Sequence, residues 1–199
     1  MTLASIQLSK RRGTILDLLF ACFAAFFSTT GFAQTWDQQL REPASVVLFR
    51  HADAPGTGDP AGFKLGDCST QRNLSEEGKA QAHLIGRKLA AQEIKIGAVW
   101  HSEWCRTRDT AVLAFPASAG HSPKPQPAFN SFFADRGKSA AQTAQAKKLL
   151  ASWRGPGALV VVTHQVNITE ITGVVPQSGE GVVLLRKGNE WQVAGRIAP

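Results

Sequence analysis

The feature that most constrains the fold is a continuous apolar run, residues 46–49, which leads directly into Arg50 and His51. A short apolar run bounded by turn-forming residues is typical of a buried central strand. Ligand sites in open α/β sheets lie just beyond the carboxyl ends of such strands. We therefore expect Arg50 to offer a charged fork to anionic oxygens and His51 to act as a nucleophile or proton carrier. The alternative, for this dipeptide alone, is a strand that ends in two solvated polar residues.

Two more apolar runs end in polar side chains of the same kind. Residues 96–100 lead into His101 and Ser102, and residues 158–163 lead into His164. Helical patterns lie between and after the three runs, beginning after Ser75, near Arg106, at Lys138 and at Asn167. This alternation predicts a three-layer α/β/α sandwich with a mostly parallel central sheet. Residues 180–186 and 191–197 alternate in polarity and predict a terminal β-hairpin.

The amino-terminal segment has the layout of a secretory signal peptide. Lys10-Arg11-Arg12 precede an apolar run over residues 15–27, and small residues follow up to Ala33. This predicts a signal peptide over residues 1–33, a domain over residues 34–199, and a periplasmic or secreted protein that meets the membrane only through its signal sequence. An uncleaved membrane anchor is the alternative.

Charge and composition narrow the class of partner. The chain has 199 residues, 43% of them hydrophobic, which is typical of a globular protein, and a net charge of +7. Removing residues 1–33 leaves a charge of +5, which suits small anionic molecules or an anionic cell surface. Because basic residues are not arranged in a stripe with aromatic residues, we expect no binding to nucleic acid. The oligomeric state is not readable from the sequence.

Two cysteines, Cys68 and Cys105, remain after the predicted cleavage. In an exported protein an even number of cysteines favours a disulfide. It would close a loop of 37 residues and stabilise the fold by roughly 3–4 kcal/mol. The alternative is a reactive thiol beside Arg106.

The carboxyl ends of neighbouring parallel strands share one edge of the sheet. We therefore expect Arg50, His51 and His164 to meet there, together with Arg106, which lies in the first turn of a predicted helix, where anions are favoured. Such a cluster would form a cationic cradle for a phosphate with a nucleophile inside it.

Four motifs in this order make the chain resemble a known family: Arg50-His51-Ala52, Leu74-Ser75-x-x-Gly78-x-x-Gln81-Ala82, Ser102-x-x-x-Arg106-x-x-x-Thr110-Ala111 and Thr163-His164. Together they resemble the histidine phosphatase (phosphoglycerate mutase-like) superfamily over roughly residues 45–185. The Arg-His-Ala form is similar to the small phosphohistidine and sugar-phosphate phosphatases. With its predicted signal peptide, the chain also resembles the bacterial lipopolysaccharide core heptose phosphatases.

The resemblance implies a phosphoglycerate mutase-like fold and a phosphatase that acts on a phosphorylated small molecule or an envelope sugar phosphate. It implies that His51 takes up the phosphoryl group as a phosphohistidine and that Arg50, Arg106 and His164 clamp the transferring oxygens. It implies no metal and no cofactor.

The resemblance leaves the proton donor to the leaving group open. Where the family usually has a glutamate, this chain has Asn130-Ser131, and where other branches have an aspartate after the second histidine it has Gln165. Three carboxylates are candidates, in this order: Asp135, Asp53 and Glu103. Without an acid, only substrates with good leaving groups would turn over quickly.

Four further residues are predicted to bind substrate: Asp53, His101, Ser102 and Gln165. His101 could instead cap a helix, and Gln165 could satisfy the start of the last helix.

Two other classes of function stay open. One is a catalytically silent module that binds phosphate or a phosphosugar with the same cradle. The other is a metallohydrolase built on His51, Asp53, His101 and His164, although these residues lack the spacing of known metal-ligand motifs.

Overall fold

The computed structural model describes residues 35–188 and 190–199, apart from the side chain of Ser118. The predicted signal peptide, residues 1–33, lies outside these residues and stays a prediction. Within the described ranges, no helix has the length and apolar character needed to cross a membrane.

In the described part of the chain six strands form one sheet: β1 (Val46–Arg50), β2 (Ile96–His101), β3 (Lys124–Pro125), β4 (Ala158–Thr163), β5 (Gly181–Lys187) and β6 (Glu190–Ile197). Their order across the sheet is β3-β2-β4-β1-β5-β6. The first four strands in this order are parallel, whereas β5 runs antiparallel to β1 and pairs with β6 as a hairpin. The predicted mostly parallel sheet and terminal hairpin are confirmed.

Five α-helices accompany the sheet within residues 35–188 and 190–199: α1 (Trp36–Arg41), α2 (Glu76–Ala91), α3 (Cys105–Ala114), α4 (Ser139–Ser152) and α5 (Gln165–Thr172). Apolar residues of α2 and α3 pack on one face of the sheet, and those of α4 and α5 pack on the other. The short helix α1 precedes β1 and was not predicted from the sequence. It forms there because Leu40, which is 1% exposed, anchors it to the first face.

Strand β1 shows how the two cores are built. Successive side chains of a strand point to opposite faces of the sheet, so Val47 and Phe49 join the core under α2 and α3. Val46 and Leu48 join the core under α4 and α5. Burial on both faces accounts for the uninterrupted apolar run in the sequence, and it places Arg50 and His51 at the carboxyl edge.

Two local features fix the long loop between β1 and α2. Ser75 is the N-cap of α2, as predicted: its hydroxyl accepts a hydrogen bond from Gly78 N and donates one to Asp53 Oδ2. A disulfide joins Cys68 in this loop to Cys105 at the start of α3, and this confirms the predicted pairing. The loop is thereby held at both ends against the edge of the sheet that carries the polar side chains.

Candidate active site

A cavity of about 420 Å³ lies at the carboxyl ends of β1 and β4. It brings together the four residues that the sequence predicted to meet: Arg50, His51, Arg106 and His164. Gln165, which was predicted to bind substrate, also lines it. Strand ends deliver three of the four, and the first turn of α3 delivers Arg106. The cavity is wide enough for a ligand considerably larger than a phosphate ion.

His51 is 3% exposed, and only one of its ring nitrogens has a hydrogen-bond partner among the described residues. Its Nδ1 lies 2.8 Å from the carbonyl oxygen of Ala52. Because a carbonyl can only accept, Nδ1 carries the hydrogen and Nε2 carries the lone pair. Burial lowers the pKa of His51 to about 3. The hydrogen bond to the Ala52 carbonyl acts in the opposite direction, and the charges of Arg106 and Arg50 lower the pKa further. The imidazole is therefore neutral and nucleophilic near pH 7.

His164 lies beside His51, with the ring centroids 5.6 Å apart and the rings nearly perpendicular. Its Nε2 is 2.7 Å from the hydroxyl oxygen of Ser102, which is completely buried and also contacts the Thr107 hydroxyl at 2.7 Å. Burial, together with the neighbouring His51 and Arg106, holds the pKa of His164 well below its usual range. Ser102, predicted to bind substrate, does not line the cavity; it orients His164 instead.

The arginines keep donors available to an incoming anion. Arg50 donates from one terminal nitrogen to the carbonyl oxygen of Pro176 at 3.0 Å, and its buried Nε has no partner within the described residues. Arg106, 3% exposed, also has a buried Nε without a partner there. Unpaired buried donors are costly and rare in folded proteins, so they indicate a place where a ligand completes the hydrogen bonding.

Sequence reasoning missed Arg72, which also lines the cavity. Its Nε donates to the carbonyl oxygen of Gly58 at 2.9 Å, and it also bonds the carbonyl of Ala54. These two bonds fix the arginine against the loop that follows β1. Its position immediately before the Asn73-Leu74-Ser75 helix start was the one signal in the sequence that could have found it.

Asp59 and Trp104 also line the cavity, and neither was predicted from the sequence. Asp59 binds Arg106 through both carboxylate oxygens, at 2.6 and 3.2 Å. The indole Nε1 of Trp104 donates to the same carboxylate at 3.0 Å. The Trp104 ring stacks on Phe63, with centroids 5.3 Å apart. Polar and apolar surfaces thus meet in one cavity, as is common in small-molecule sites.

The three carboxylates predicted as proton donors lie outside the cavity lining. Asp135 lies in an exposed stretch, residues 133–138, and pairs with Lys138 at 3.0 Å. Asp53 accepts from Ser75 at the start of α2, and Glu103 accepts from the side-chain amide of Asn130. This placement disfavours Asp135 as the donor and Asp53 as a substrate contact. Within the described part of the chain, Asp59 is the carboxylate that lines the cavity.

His101 also lies outside this cavity, against the prediction that it binds substrate. Alternate side chains of β2 face opposite sides, so His101 shares the face of Val99, under α3. There it lines a second, open cavity with Arg108 and Val112.

Of the four ligands that a metallohydrolase would need, the cavity therefore holds only His51 and His164. Residues 35–188 and 190–199 contain no group of three or more histidine, cysteine, aspartate or glutamate side chains placed to hold a metal ion.

Comparison with known proteins gives a family and a fold. The sequence model of the histidine phosphatase superfamily (branch 1) matches residues 46–132. No curated protein matches the sequence significantly.

Several solved structures share the fold. The protein histidine phosphatase SixA complexed with tungstate is 16% identical, with a TM-score of 0.55 over 78% of this chain and 97% of that chain. SixA from Agrobacterium tumefaciens is 21% identical, with a TM-score of 0.57 over 79% and 99%. A mycobacterial glucosyl-3-phosphoglycerate phosphatase in complex with VO3 is 15% identical, with a TM-score of 0.54 over 75% and 96%. At these identities the similarity shows the fold.

Proposed function

Because the chain belongs to the histidine phosphatase superfamily, we propose that it is an exported, metal-independent phosphatase that hydrolyses phosphomonoesters through a phosphohistidine on His51. The observation that carries the proposal is the buried, neutral His51, whose free Nε2 shares one cavity with three arginines. A neutral imidazole surrounded by fixed positive charge suits nucleophilic attack on a phosphorus atom that already carries negative oxygens.

In this mechanism the first step is attack by His51 Nε2 on the phosphorus of a bound ester. The hydrogen bond from Nδ1 to the Ala52 carbonyl fixes the ring and stabilises the positive charge that develops on it. Arg50 and Arg106 contribute their unpaired donors to the equatorial oxygens, on which the charge of the transition state is spread.

His164 completes the cradle. Its Nε2 is held by Ser102, so the ring keeps one orientation beside His51 without help from the substrate. If the Ser102 hydroxyl donates this bond, Nδ1 carries the hydrogen and is available to a phosphate oxygen. Such preorganised donors lower the barrier because they need no rearrangement during the reaction.

The size and the mixed character of the cavity support a substrate with a substantial leaving group. Beyond the cationic floor, the walls include Phe63, Trp104 and Phe133. A phosphorylated small molecule or an envelope sugar phosphate would present its phosphate to the floor and a ring or carbon chain to these walls. Two of the solved neighbours hold the oxyanions tungstate and vanadate, which are tetrahedral or trigonal relatives of phosphate.

Export is supported by the signal-like residues 1–33 and by the disulfide, since structural disulfides are rare in the reducing cytosol. Fractionation of cells that produce the full chain tests it. Export predicts a shortened, oxidised protein outside the cytoplasm, and a full-length, reduced protein inside it would contradict the proposal.

The activity is tested by hydrolysis of p-nitrophenyl phosphate in excess EDTA at about pH 5 to 8. The proposal predicts turnover by the parent and by His83→Asn, which alters an exposed residue of α2, and none by His51→Asn. Activity that is lost in EDTA and restored by a metal ion would contradict metal independence. Absence of turnover, with phosphate still raising the melting temperature, would point instead to the silent binding module.

A further inference from the structure

We propose that Asp59 is the proton donor to the leaving group, and that before substrate binds its carboxylate occupies the phosphate position on Arg106. This inference rests on the proposed function. Asp59 lies in the loop after β1. Of the three carboxylates that the sequence suggested as proton donors, only Asp53 lies in the same loop.

The geometry of Asp59 is that of a bound oxyanion. Its two oxygens accept from the two terminal nitrogens of Arg106, at 2.6 and 3.2 Å, and Trp104 Nε1 donates to one of them at 3.0 Å. A planar guanidinium fork binds a carboxylate and a phosphate in the same bidentate manner. The carboxylate of Asp59 therefore fills the site on Arg106 that a phosphate needs.

A substrate must displace this carboxylate, and the displacement changes its chemistry. In the free protein, burial tends to raise the pKa of Asp59, but the hydrogen bonds from Arg106 and Trp104 outweigh it and lower the pKa. A phosphate dianion on Arg106 removes the main partner of Asp59 and adds a like charge beside it. Both changes favour the protonated carboxyl group. Substrate binding thus converts a salt-bridge carboxylate into an acid next to the reacting phosphate.

The loop is built to allow such a movement. Gly56, Gly58 and Gly62 flank Asp59 with φ of 95°, 72° and 82°, a backbone region that glycine adopts without steric cost. Arg72 holds the Gly58 carbonyl, so the loop stays attached to the cavity wall while the Asp59 side chain moves off Arg106.

The proton balance closes over two steps. His51 Nε2 forms a bond to phosphorus while the bond from phosphorus to the ester oxygen breaks, and the ester oxygen takes the proton of the Asp59 carboxyl group. Water then attacks the phosphohistidine and gives a proton to the Asp59 carboxylate. The bond from phosphorus to nitrogen breaks, its electron pair returns to Nε2, and inorganic phosphate leaves.

The test compares Asp59→Asn with Asp135→Asn, a matched change at an exposed carboxylate, on two esters. p-Nitrophenolate leaves without protonation, whereas the alkoxide of glycerol phosphate needs a proton. We expect Asp59→Asn to stay within a few-fold of the parent on p-nitrophenyl phosphate but to lose about 100-fold or more in kcat on glycerol phosphate. Asp59→Glu should restore part of that loss, and Asp135→Asn should change neither rate.

A second measurement tests the occupancy of Arg106. Asp59→Asn removes the negative charge that competes with phosphate for Arg106. Inorganic phosphate should therefore inhibit p-nitrophenyl phosphate hydrolysis by this variant at a lower concentration than it inhibits the parent. Equal losses on both esters, or unchanged phosphate inhibition, would overturn the inference and leave the proposed function intact. If the parent hydrolyses neither ester, the proposed function fails, and the proton-donor role fails with it.

Discussion

Replacing His51 with glutamine is predicted to flatten the dependence of stability on pH. Burial, with the neighbouring arginines, lowers the folded-state pKa of His51 to about 3, whereas an unfolded histidine has a pKa of about 6.5. Below that value the unfolded chain binds a proton that the folded protein does not bind, so the free energy of unfolding falls as the pH falls. Between pH 7 and pH 5 linkage gives a loss of about 2 kcal/mol from His51 alone.

This magnitude hardly depends on the folded-state pKa, provided that it lies well below 5. Burial lowers the pKa of His164 as well, so that residue adds to the loss in the same direction. A glutamine at position 51 cannot titrate, so the contributions of His164 and of His101, whose pKa burial also lowers, remain.

Urea unfolding at pH 7 and pH 5 measures the effect, in buffers without phosphate because a bound anion would stabilise the folded state. The difference in unfolding free energy between the two pH values should be about 2 kcal/mol smaller in His51→Gln than in the parent. His83→Gln, at an exposed position, should match the parent. Equal differences in the parent and in His51→Gln would refute the reasoning, since they would mean that His51 is protonated in the folded protein.

Three other variants test the supports of the site. Ser102→Ala removes the hydrogen bond to His164 and should lower kcat about tenfold with little change in KM; an equal rise in KM would assign it to substrate binding. Replacing Cys68 and Cys105 by serine should lower the unfolding free energy by about 4 kcal/mol through loop entropy, and an unchanged urea midpoint would contradict this. Gly78→Ala would place a Cβ 2.0 Å from a backbone oxygen and should cost about 2 kcal/mol; an unaltered melting temperature would show that the helix shifts freely.

The floor of the site could be predicted from the sequence because the strands are buried on both faces. Such strands read as uninterrupted apolar runs, and the first polar residues after them must lie at the carboxyl edge of the sheet. Arg50, His51 and His164 follow directly from this rule. Arg106 follows from the start of the next helix. His101 does not, because it is the last residue of β2 and pairs with Val162 inside β4, so it lies short of the strand ends that carry His51 and His164. It lines the second cavity with Arg108 and Val112.

The wall of the site could not be predicted, because it comes from an irregular loop. Periodicity reports which face of a regular element is buried, but it does not report the path of residues 54–72. Asp59 and Arg72 reach the cavity only through that path, which the disulfide and the hydrogen bond from Arg72 to Gly58 help to fix. The sequence candidates for the proton donor therefore lie close to the strand ends and in the loop after residue 129, whereas the carboxylate that lines the cavity among the described residues, Asp59, belongs to the irregular loop.

The most direct test of the central claim is to locate the phosphoryl group during turnover. The protein is mixed with p-nitrophenyl phosphate, quenched within the first turnover under alkaline conditions that preserve phosphohistidine, and mapped by mass spectrometry. The account predicts a phosphoryl group on Nε2 of His51 that is absent from His51→Asn and that disappears as phosphate is released. Hydrolysis without a phosphoenzyme, or a phosphoryl group on His164, would contradict it.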